Sequence, residues 1–399
     1  MSESIVAQIT SSPAPELGKA YNRDKAAPPG PHETKQFAAR CHCGAVQFSI
    51  HLPVASLPLR AYICHCSVCR YTQGTFARTG VILPLGIAPD WADDSMTKNL
   101  TTYMVPGHLT PRQFCSTCGT TIGGVGPTGQ WTMAVPLFDE KFWVFGGHGF
   151  PKSAPGGGLL DWVLEPDATA ATLQEKYIWF SPEDKDFPAS AQPEFAADGT
   201  ERLRAECCCG GVSFTVPRPS QAVVDDPYMG GYVVPSLPAP NDPTTTTTAE
   251  KKKWKALLDL CRDCGRLSGA SVVPWMLVPR VVVEPALPPD LQGAFGTLKT
   301  YKSSEPNTRG FCGVCGASVF IATKRREPTA GQAIVNVAMG LLRAPEGVRA
   351  EDWVVWRAGA PAWAEDAKGW DEEFTVALVE GHRRWGMEKY GEAPEFFVI

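Results

Sequence analysis

Short apolar stretches interrupted by glycine and proline run along most of the chain and begin near Phe37. Residues 46–50 alternate apolar and polar side chains, which is the two-residue period of a half-buried β-strand. Stretches of this length, bounded by turn-forming residues, predict strands rather than long helices. The pattern therefore predicts a mainly β fold with short helices.

One longer amphipathic helix is predicted near the C-terminal end, over residues 374–390, where it would pack against the second half of the chain. No apolar run reaches the roughly 18 residues that a membrane span needs. The first residues lack the basic start and apolar stretch of a secretory signal. We therefore expect a cytoplasmic protein with no membrane partner.

An internal repeat sets the predicted domain organisation. A Cys-x-Cys-Gly motif, a Cys-x-x-Cys motif, a Leu-x-Thr-Tyr motif and a Phe-Cys-x-x-Cys-Gly motif each occur twice, in the same order. Such self-similarity indicates a tandem duplication. We predict a flexible tail over residues 1–35, a first domain over 36–182, a linker over 183–200 and a second domain over 201–399. The second copy also carries an insertion with the run Thr244–Thr248.

Length and composition agree with two ordinary folded domains. The 399 residues exceed what one core usually spans, and 44% are hydrophobic while 20% are charged. The net charge of -5 is spread along the chain without a basic arm. A protein that binds nucleic acid through its phosphates would need such an arm, so we expect a small-molecule substrate instead.

All fourteen cysteines except Cys208 fall in the repeated motifs or, for Cys64, two residues before one of them. Two cysteine pairs on tight turns can complete a four-thiolate zinc site, whereas a group of three leaves one zinc position open for water or substrate. A redox Cys-x-x-Cys pair or a disulfide framework would not explain seven cysteines in three groups. A purely structural triplet, with His65, His108 or His148 as fourth ligand, stays an alternative. The same histidines are candidates for a general base.

These motifs resemble the glutathione-dependent formaldehyde-activating enzyme family, which also includes centromere protein V. The resemblance rests on residues 41–46, 64–70 and 114–120 and on their second copies, and it implies two tandem β-tent zinc-binding domains. It implies about two zinc ions in the first domain and one or two in the second. The implied ligands are Cys41, Cys43, Cys115 and Cys118 for the first structural site, Cys64, Cys66 and Cys69 for the catalytic zinc, and Cys207, Cys209, Cys312 and Cys315 for the second structural site.

The second copy departs from the family pattern at its second site. Alignment of Cys261 and Cys264 with Cys66 and Cys69 places Asp259 where Cys64 stands. A carboxylate is a harder donor than a thiolate, so we expect this site to bind zinc more weakly or not at all. Cys208 is expected to be a bystander, because its side chain should point away from those of its neighbours in an extended segment.

The resemblance implies carbon–sulfur bond chemistry. We expect a carbon–sulfur lyase that acts on adducts of glutathione, as a possible cosubstrate, or of another thiol with an electrophilic small molecule. Two alternatives remain open: a non-catalytic zinc module that binds a protein or chromatin, and a zinc Lewis-acid enzyme that acts on a carbonyl or imine without a thiol. We also expect the two domains to pack on each other as a pseudo-dimer.

Overall fold

The computed structural model describes residues 33–108, 110–163, 191–235, 252–329 and 331–396. These residues form a mainly β structure of several sheets with few helices, which confirms the predicted fold class. None of the helices in the described ranges combines the length and the apolar character of a membrane span.

The first half contains one three-stranded and one seven-stranded sheet. Its strands β1 to β10 span Thr34–Arg40, Gln47–Pro53, Leu59–Cys64, Arg78–Ile82, Asp90–Trp91, Leu100–Tyr103, Arg112–Cys115, Thr121–Val125, Trp131–Ala134 and Trp143–Gly149, and its helix α1 spans Ser67–Gln73. The small sheet has the order β1-β2-β5, and the large sheet has the order β10-β3-β4-β9-β8-β7-β6. The alternating segment at residues 46–50 thus lies at the start of β2, as expected.

The second half is built in the same way. Its strands β11 to β21 span Glu194–Phe195, Glu201–Glu206, Ser213–Pro217, Val233–Pro235, Lys252–Asp259, Val273–Pro279, Leu298–Ser304, Asn307–Cys312, Ser318–Thr323, Ile334–Ala338 and Val354–Trp356. Helices α2 and α3 span Gln221–Asp225 and Arg262–Ser268. The small sheet has the order β11-β12-β13, and the large one has the order β14-β15-β16-β20-β19-β18-β17, with β21 also paired to β15.

The two large sheets share one strand order. The run β3-β4-β9-β8-β7-β6 of the first half corresponds to β15-β16-β20-β19-β18-β17 of the second. In each half a later strand adds in parallel to the first member of that run, β10 to β3 and β21 to β15. The repeat of motifs along the sequence is therefore also a repeat of strand order.

Helices α1 and α3 each follow the first strand of that run and end at a glycine. Gly74 and Gly269 have φ of 72° and 75°, the left-handed conformation that closes a helix with little strain only for glycine. The Gly74 N–H donates to the Arg70 carbonyl at 2.8 Å, and the Gly269 N–H donates to the Gly265 carbonyl at 2.8 Å. Each short helix thus holds the Cys-x-x-Cys motif of its half against the large sheet.

Equivalent residues contact each other reciprocally across the boundary between the halves. A Cβ added at Gly119 would lie 2.6 Å from the ring of Phe311, and a Cβ added at Gly316 would lie 2.7 Å from the ring of Phe114. Gly119 and Gly316 occupy the same position of the repeat, as do Phe114 and Phe311. Both turns therefore need glycine so that the partner half can pack against them.

The C-terminal helix α4 spans Ala364–Tyr390 and is interrupted at Asp371, which has φ -146° and ψ 82°. It includes the predicted segment 374–390 and begins ten residues earlier. Trp385 packs 5.2 Å from Trp162 of the first half, and the ring of His382 lies 5.9 Å from Trp356 of the second. The sequence predicted packing against the second half alone. The helix in fact packs against both halves.

The predicted domain boundaries stay predictions, with two details to add. Strand β1 begins at Thr34, inside the predicted tail, and β11 lies inside the predicted linker, where it pairs with β12. Residues 1–32 of the tail, residues 183–190 of the linker and the run Thr244–Thr248 lie outside the described residues.

A close backbone approach between the halves gives a first test. The Gly340 N–H donates to the Gly74 carbonyl at 3.1 Å, and a Cβ at Gly340 would lie 2.2 Å from the Thr75 nitrogen. We expect Gly340→Ala to lower the free energy of unfolding by about 1–3 kcal/mol, because two backbones must separate. Urea denaturation measures the change. Gly331→Ala, at a position with open space around it, is the control, and equal stability of the two variants would contradict the close packing.

Candidate metal centres

Four thiols meet where two turns of the first half approach each other. Cys41 follows β1, Cys43 lies in the next turn, Cys115 ends β7, and Cys118 lies in the turn after it. All four sulfurs lie within 4.8 Å of one another. The Sγ atoms of Cys41 and Cys43 are 3.5 Å apart, and those of Cys43 and Cys115 are 3.7 Å apart.

The second half repeats this arrangement with Cys207, Cys209, Cys312 and Cys315, whose sulfurs also lie within 4.8 Å of one another. The Sγ atoms of Cys207 and Cys209 are 3.6 Å apart. The N–H groups of Val314 and Cys315 both point at the Cys312 sulfur, at 3.4 Å. Backbone donors of this kind stabilise a thiolate, so the turn favours the charged form of its cysteine.

Both four-cysteine groups fit a zinc ion. A tetrahedral ion with Zn–S distances of about 2.3 Å requires sulfurs about 3.8 Å apart, close to the separations found here. The cysteines are free rather than joined in disulfides. Four soft donors leave no vacant position on a tetrahedral ion, so each group would tie two distant turns together and serve the fold.

The third group consists of three cysteines at the end of β3 and the start of α1. The sulfurs of Cys64, Cys66 and Cys69 lie within 4.8 Å of one another, and those of Cys64 and Cys66 are 3.4 Å apart. The Cys66 sulfur also caps α1 by accepting from the Cys69 N–H at 3.4 Å. No fourth cysteine, histidine or carboxylate among the described residues joins this group. The donor set suits zinc and leaves one coordination position for another ligand.

Arg112 supplies positive charge to the triplet. Its Nη2 lies 3.7 Å from the Cys69 sulfur, and it projects from β7 of the same large sheet. Hydrogen bonds from Cys64 and Cys66, together with the Arg112 charge, hold the pKa of Cys69 well below its usual value. The Arg112 charge thus favours the thiolate form of this cysteine over the neutral thiol.

We did not identify Arg112 from the sequence, although the repeat contains a signal for it. Arg309 stands at the same offset before Cys312 as Arg112 does before Cys115. In the structure the Arg309 Nη1 lies 3.4 Å from the Cys264 sulfur. In both halves, therefore, an arginine at the same repeat position lies beside the last cysteine of the second site.

The histidines proposed as a fourth ligand or base lie elsewhere. His65 Nε2 and His148 Nδ1 are 2.8 Å apart, and both side chains are fully buried. Burial lowers the pKa of His65 well below its usual value and that of His148 to about 4. Both imidazoles are therefore neutral at neutral pH and pair with each other. His108 does not join the triplet either.

The second site of the second half contains the residues that the alignment placed there. The carboxylate of Asp259 and the sulfurs of Cys261 and Cys264 lie within 4.8 Å of one another. Asp259 Oδ2 accepts from the Cys264 thiol at 3.0 Å and from the indole N–H of Trp275 at 3.2 Å, and Oδ1 accepts from the Cys261 N–H at 2.8 Å. The carboxylate that replaces the first thiolate is thus already used in three hydrogen bonds.

Each second site is bordered by the Cys-x-Cys turn of the opposite half. Cys208 packs against the apolar cluster around the triplet, next to Tyr103, and its N–H donates to the Tyr71 carbonyl at 3.1 Å. In the equivalent place His42 Nδ1 lies 2.9 Å from the Tyr301 hydroxyl, and His42 Nε2 lies 3.4 Å from Asp263. Cys208 lies outside the four ligand groups found among the described residues, and it packs at the edge of the first-half site.

Comparison with known proteins agrees with this geometry. Residues 36–138 match the family described as glutathione-dependent formaldehyde-activating enzyme, which confirms the resemblance over that range. That range contains all seven cysteines of the first half. No curated protein matches the chain significantly.

Loss of one cysteine should affect stability differently in the four-cysteine group and in the triplet. An ion at Cys41, Cys43, Cys115 and Cys118 would close a long loop, whereas one at the triplet would link only residues 64–69. We expect Cys115→Ser and Cys66→Ser each to lose about one zinc ion per chain. Only Cys115→Ser should lower the free energy of unfolding by several kcal/mol. Elemental analysis and urea denaturation measure both quantities. An unchanged zinc content in Cys66→Ser, or equal destabilisation by both substitutions, would contradict these assignments.

Proposed function

From the premise that residues 36–138 belong to the glutathione-dependent formaldehyde-activating enzyme family, we propose that the chain is a zinc-dependent enzyme of carbon–sulfur lyase type. Its substrate would be an adduct of glutathione, or of another thiol, with an electrophilic small molecule. The reaction centre would be the site of Cys64, Cys66 and Cys69.

The observation that carries this proposal is the contrast between three and four ligands. The four-cysteine groups are complete, whereas the triplet gathers three thiols and no fourth ligand atom among the described residues. A catalytic zinc site keeps one position open, and a structural one does not. A zinc ion held by three thiolates would accept one more soft sulfur readily and lower its pKa.

The surroundings of the triplet support sulfur chemistry in a dry site. Tyr62, Val68 and Val105 are buried and pack with the three cysteines in one cluster. Burial raises the pKa of Tyr62 to about 12, so its phenol stays neutral and able to donate a hydrogen bond. In such surroundings the positive charge of Arg112 is poorly screened and acts strongly on a bound thiolate.

The proposed reaction balances without a redox partner. In the adding direction the thiol sulfur forms a bond to the carbonyl carbon, the carbon–oxygen π bond breaks, and the thiol proton ends on the oxygen. In the lyase direction the carbon–sulfur bond breaks, the carbon–oxygen π bond forms again, and the hydroxyl proton returns to the sulfur, which leaves as the thiol. The chain would hold the sulfur of the substrate beside Arg112, and the buried side chains of Tyr62, Val68 and Val105 would exclude water. Tyr103, next to Cys208 at the edge of the cluster, is the candidate hydrogen-bond donor to the oxygen.

The second half would support the first rather than repeat its reaction. Asp259 is a harder donor than the cysteine it replaces, and burial raises the pKa of its carboxyl group. Both properties disfavour a soft zinc site with an anionic carboxylate. We therefore propose one or two zinc ions in this half, with the four-cysteine site always filled.

Three further expectations belong to this proposal. The reciprocal contacts at Gly119 and Gly316 support a pseudo-dimer of the two halves within one chain. The cysteine groups suit a reducing compartment, which supports a cytoplasmic location. Glutathione is the expected cosubstrate, whereas formaldehyde is one member of the electrophile class and not a required one.

Comparison of equivalent cysteines tests the proposal. Exchange between glutathione, formaldehyde and their hemithioacetal adduct is measured by exchange NMR, with a panel of larger aldehydes beside formaldehyde. We expect the full chain to accelerate exchange of at least one aldehyde and Cys66→Ser to lose this acceleration by at least about 100-fold. Cys261→Ser, the same change at the equivalent position of the second half, should retain it.

The alternatives predict other results. A zinc Lewis-acid enzyme would turn over a carbonyl substrate without any thiol, because no sulfur enters its reaction. A purely structural triplet, as in a binding module, would accelerate none of the panel. Full activity of Cys66→Ser would likewise reject the triplet as reaction centre.

A further inference from the structure

Three substitutions distinguish the second site of the second half from the triplet of the first. The strand pairs β3–β4 and β15–β16 place equivalent residues in the same register: Asp259 for Cys64, Val273 for Arg78 and Trp275 for Gly80. A thiol and the cation opposite it on the neighbouring strand are thus lost together, and a carboxylate and an indole appear together. The second half has exchanged one set of partners for another at this site.

The new carboxylate and the new indole bond to each other. Asp259 is 8% exposed and accepts from the Trp275 N–H at 3.2 Å. The same oxygen accepts from the Cys264 thiol at 3.0 Å, and the other oxygen accepts from the Cys261 N–H at 2.8 Å. A buried carboxylate with three donors is satisfied by the folded chain itself. The site therefore fits a soft zinc ion poorly, because an ion would have to displace these donors from a hard ligand.

Without an ion, two thiols three residues apart lie side by side at the start of α3. The sulfurs of Cys261 and Cys264 lie within 4.8 Å of each other. The Gly265 N–H donates to the Cys261 carbonyl at 2.9 Å, so the first helical turn already begins at Cys261. Helix geometry then places the two Cα atoms about 5 Å apart, inside the range of roughly 4.4–6.8 Å that a disulfide bridges. The pair can therefore close with little movement of the backbone.

The two thiols differ in exposure. Cys264 is 4% exposed and lies beneath the start of the helix, whereas Cys261 is partly exposed. Cys261 is therefore the thiol that a reactant meets first, and Cys264 is placed to react with Cys261 afterwards. Arg309 Nη1 lies 3.4 Å from the Cys264 sulfur and would stabilise negative charge that develops on it.

We propose that Cys261 and Cys264 are a metal-free dithiol that exchanges with small disulfides, such as glutathione disulfide, and closes to a disulfide within the chain. The Cys261 sulfur would attack the small disulfide, whose S–S bond breaks, and one thiol would leave with the Cys261 proton. The Cys264 sulfur would then attack Cys261, the mixed S–S bond would break, and the second thiol would leave with the Cys264 proton. The chain loses two hydrogens and the small disulfide gains them, so the exchange needs no other oxidant.

This dithiol would be independent of the reaction proposed for the triplet. The second half would hold a single metal ion, at its four-cysteine group, and the chain would hold about three. In the first half the thiols of Cys66 and Cys69 have the same spacing, but Cys64 completes a set of three soft donors there. An ion at the triplet would protect that pair from oxidation.

The test follows both pairs of thiols through oxidation by glutathione disulfide. The zinc-loaded full chain, freed of excess zinc, is equilibrated without oxygen in mixtures of glutathione and glutathione disulfide, quenched in acid, alkylated and digested with trypsin. Trypsin cuts after Arg262, so a disulfide between Cys261 and Cys264 joins two peptides that otherwise separate. Mass spectrometry should show these linked peptides increasing with the share of glutathione disulfide and disappearing in excess glutathione. Oxidation of Cys66 and Cys69 should be at least about 10-fold lower.

Asp259→Cys rebuilds the donor set of the triplet and tests the cause of the difference. It should bind about one more zinc ion per chain and form linked peptides at least about 10-fold less than the wild type. The matched control is Cys208→Ser, which removes a thiol outside the ligand groups found among the described residues and should form as much linked peptide as the wild type. Circular dichroism verifies that both variants are folded.

The wild type alone can overturn the proposal. It is rejected if no mixture yields linked peptides, if Cys66 and Cys69 are oxidised as readily as Cys261 and Cys264, or if the chain binds about four zinc ions. Equal linkage in the wild type and in a zinc-enriched Asp259→Cys would also reject it, because the bound ion would then give no protection.

Discussion

Sulfur atoms held close together at pairs of tight turns are the constraint on which the rest of the structure depends. In each half, four thiols from two turns far apart in sequence lie within 4.8 Å of one another. Four thiolates at such distances would repel one another without a cation between them, so each cluster has the donors and the spacing to hold a metal ion. With both turns tied, the large sheet has a fixed edge, and β3 and α1 can present the triplet beside β7, which supplies Arg112.

The two halves share one strand order and one four-cysteine group but differ at the second site. In the first, three thiols and an arginine gather in a buried, largely apolar cluster, and no fourth ligand atom among the described residues joins the thiols. In the second, Asp259 replaces one thiol and is already bound by Trp275 and by Cys264. The Cys-x-Cys turn of each half borders the second site of the other half. The surroundings of each second site therefore depend on residues from both halves.

Much of this could be predicted from the sequence, because cysteine spacing and turn glycines act locally. The mainly β class, the three cysteine groups of the first half and the exchange of Cys64 for Asp259 follow from motifs that a repeat makes visible. Arg112 was missed because its contact with Cys69 depends on how β7 lies beside α1. The position of Cys208 was missed for a related reason. It depends on packing between the halves, which leaves no periodic pattern in the sequence.

The central claim is that the triplet holds an ion with a position open to a thiol. Cobalt(II) can replace zinc in thiolate sites, and its visible absorption depends on its ligands and geometry. The measurement is the absorption spectrum of the cobalt-loaded chain before and after addition of glutathione. The account predicts a spectral change in the wild type and in Cys261→Ser, and none in Cys66→Ser. An unchanged wild-type spectrum, or the same change in Cys66→Ser, would contradict it.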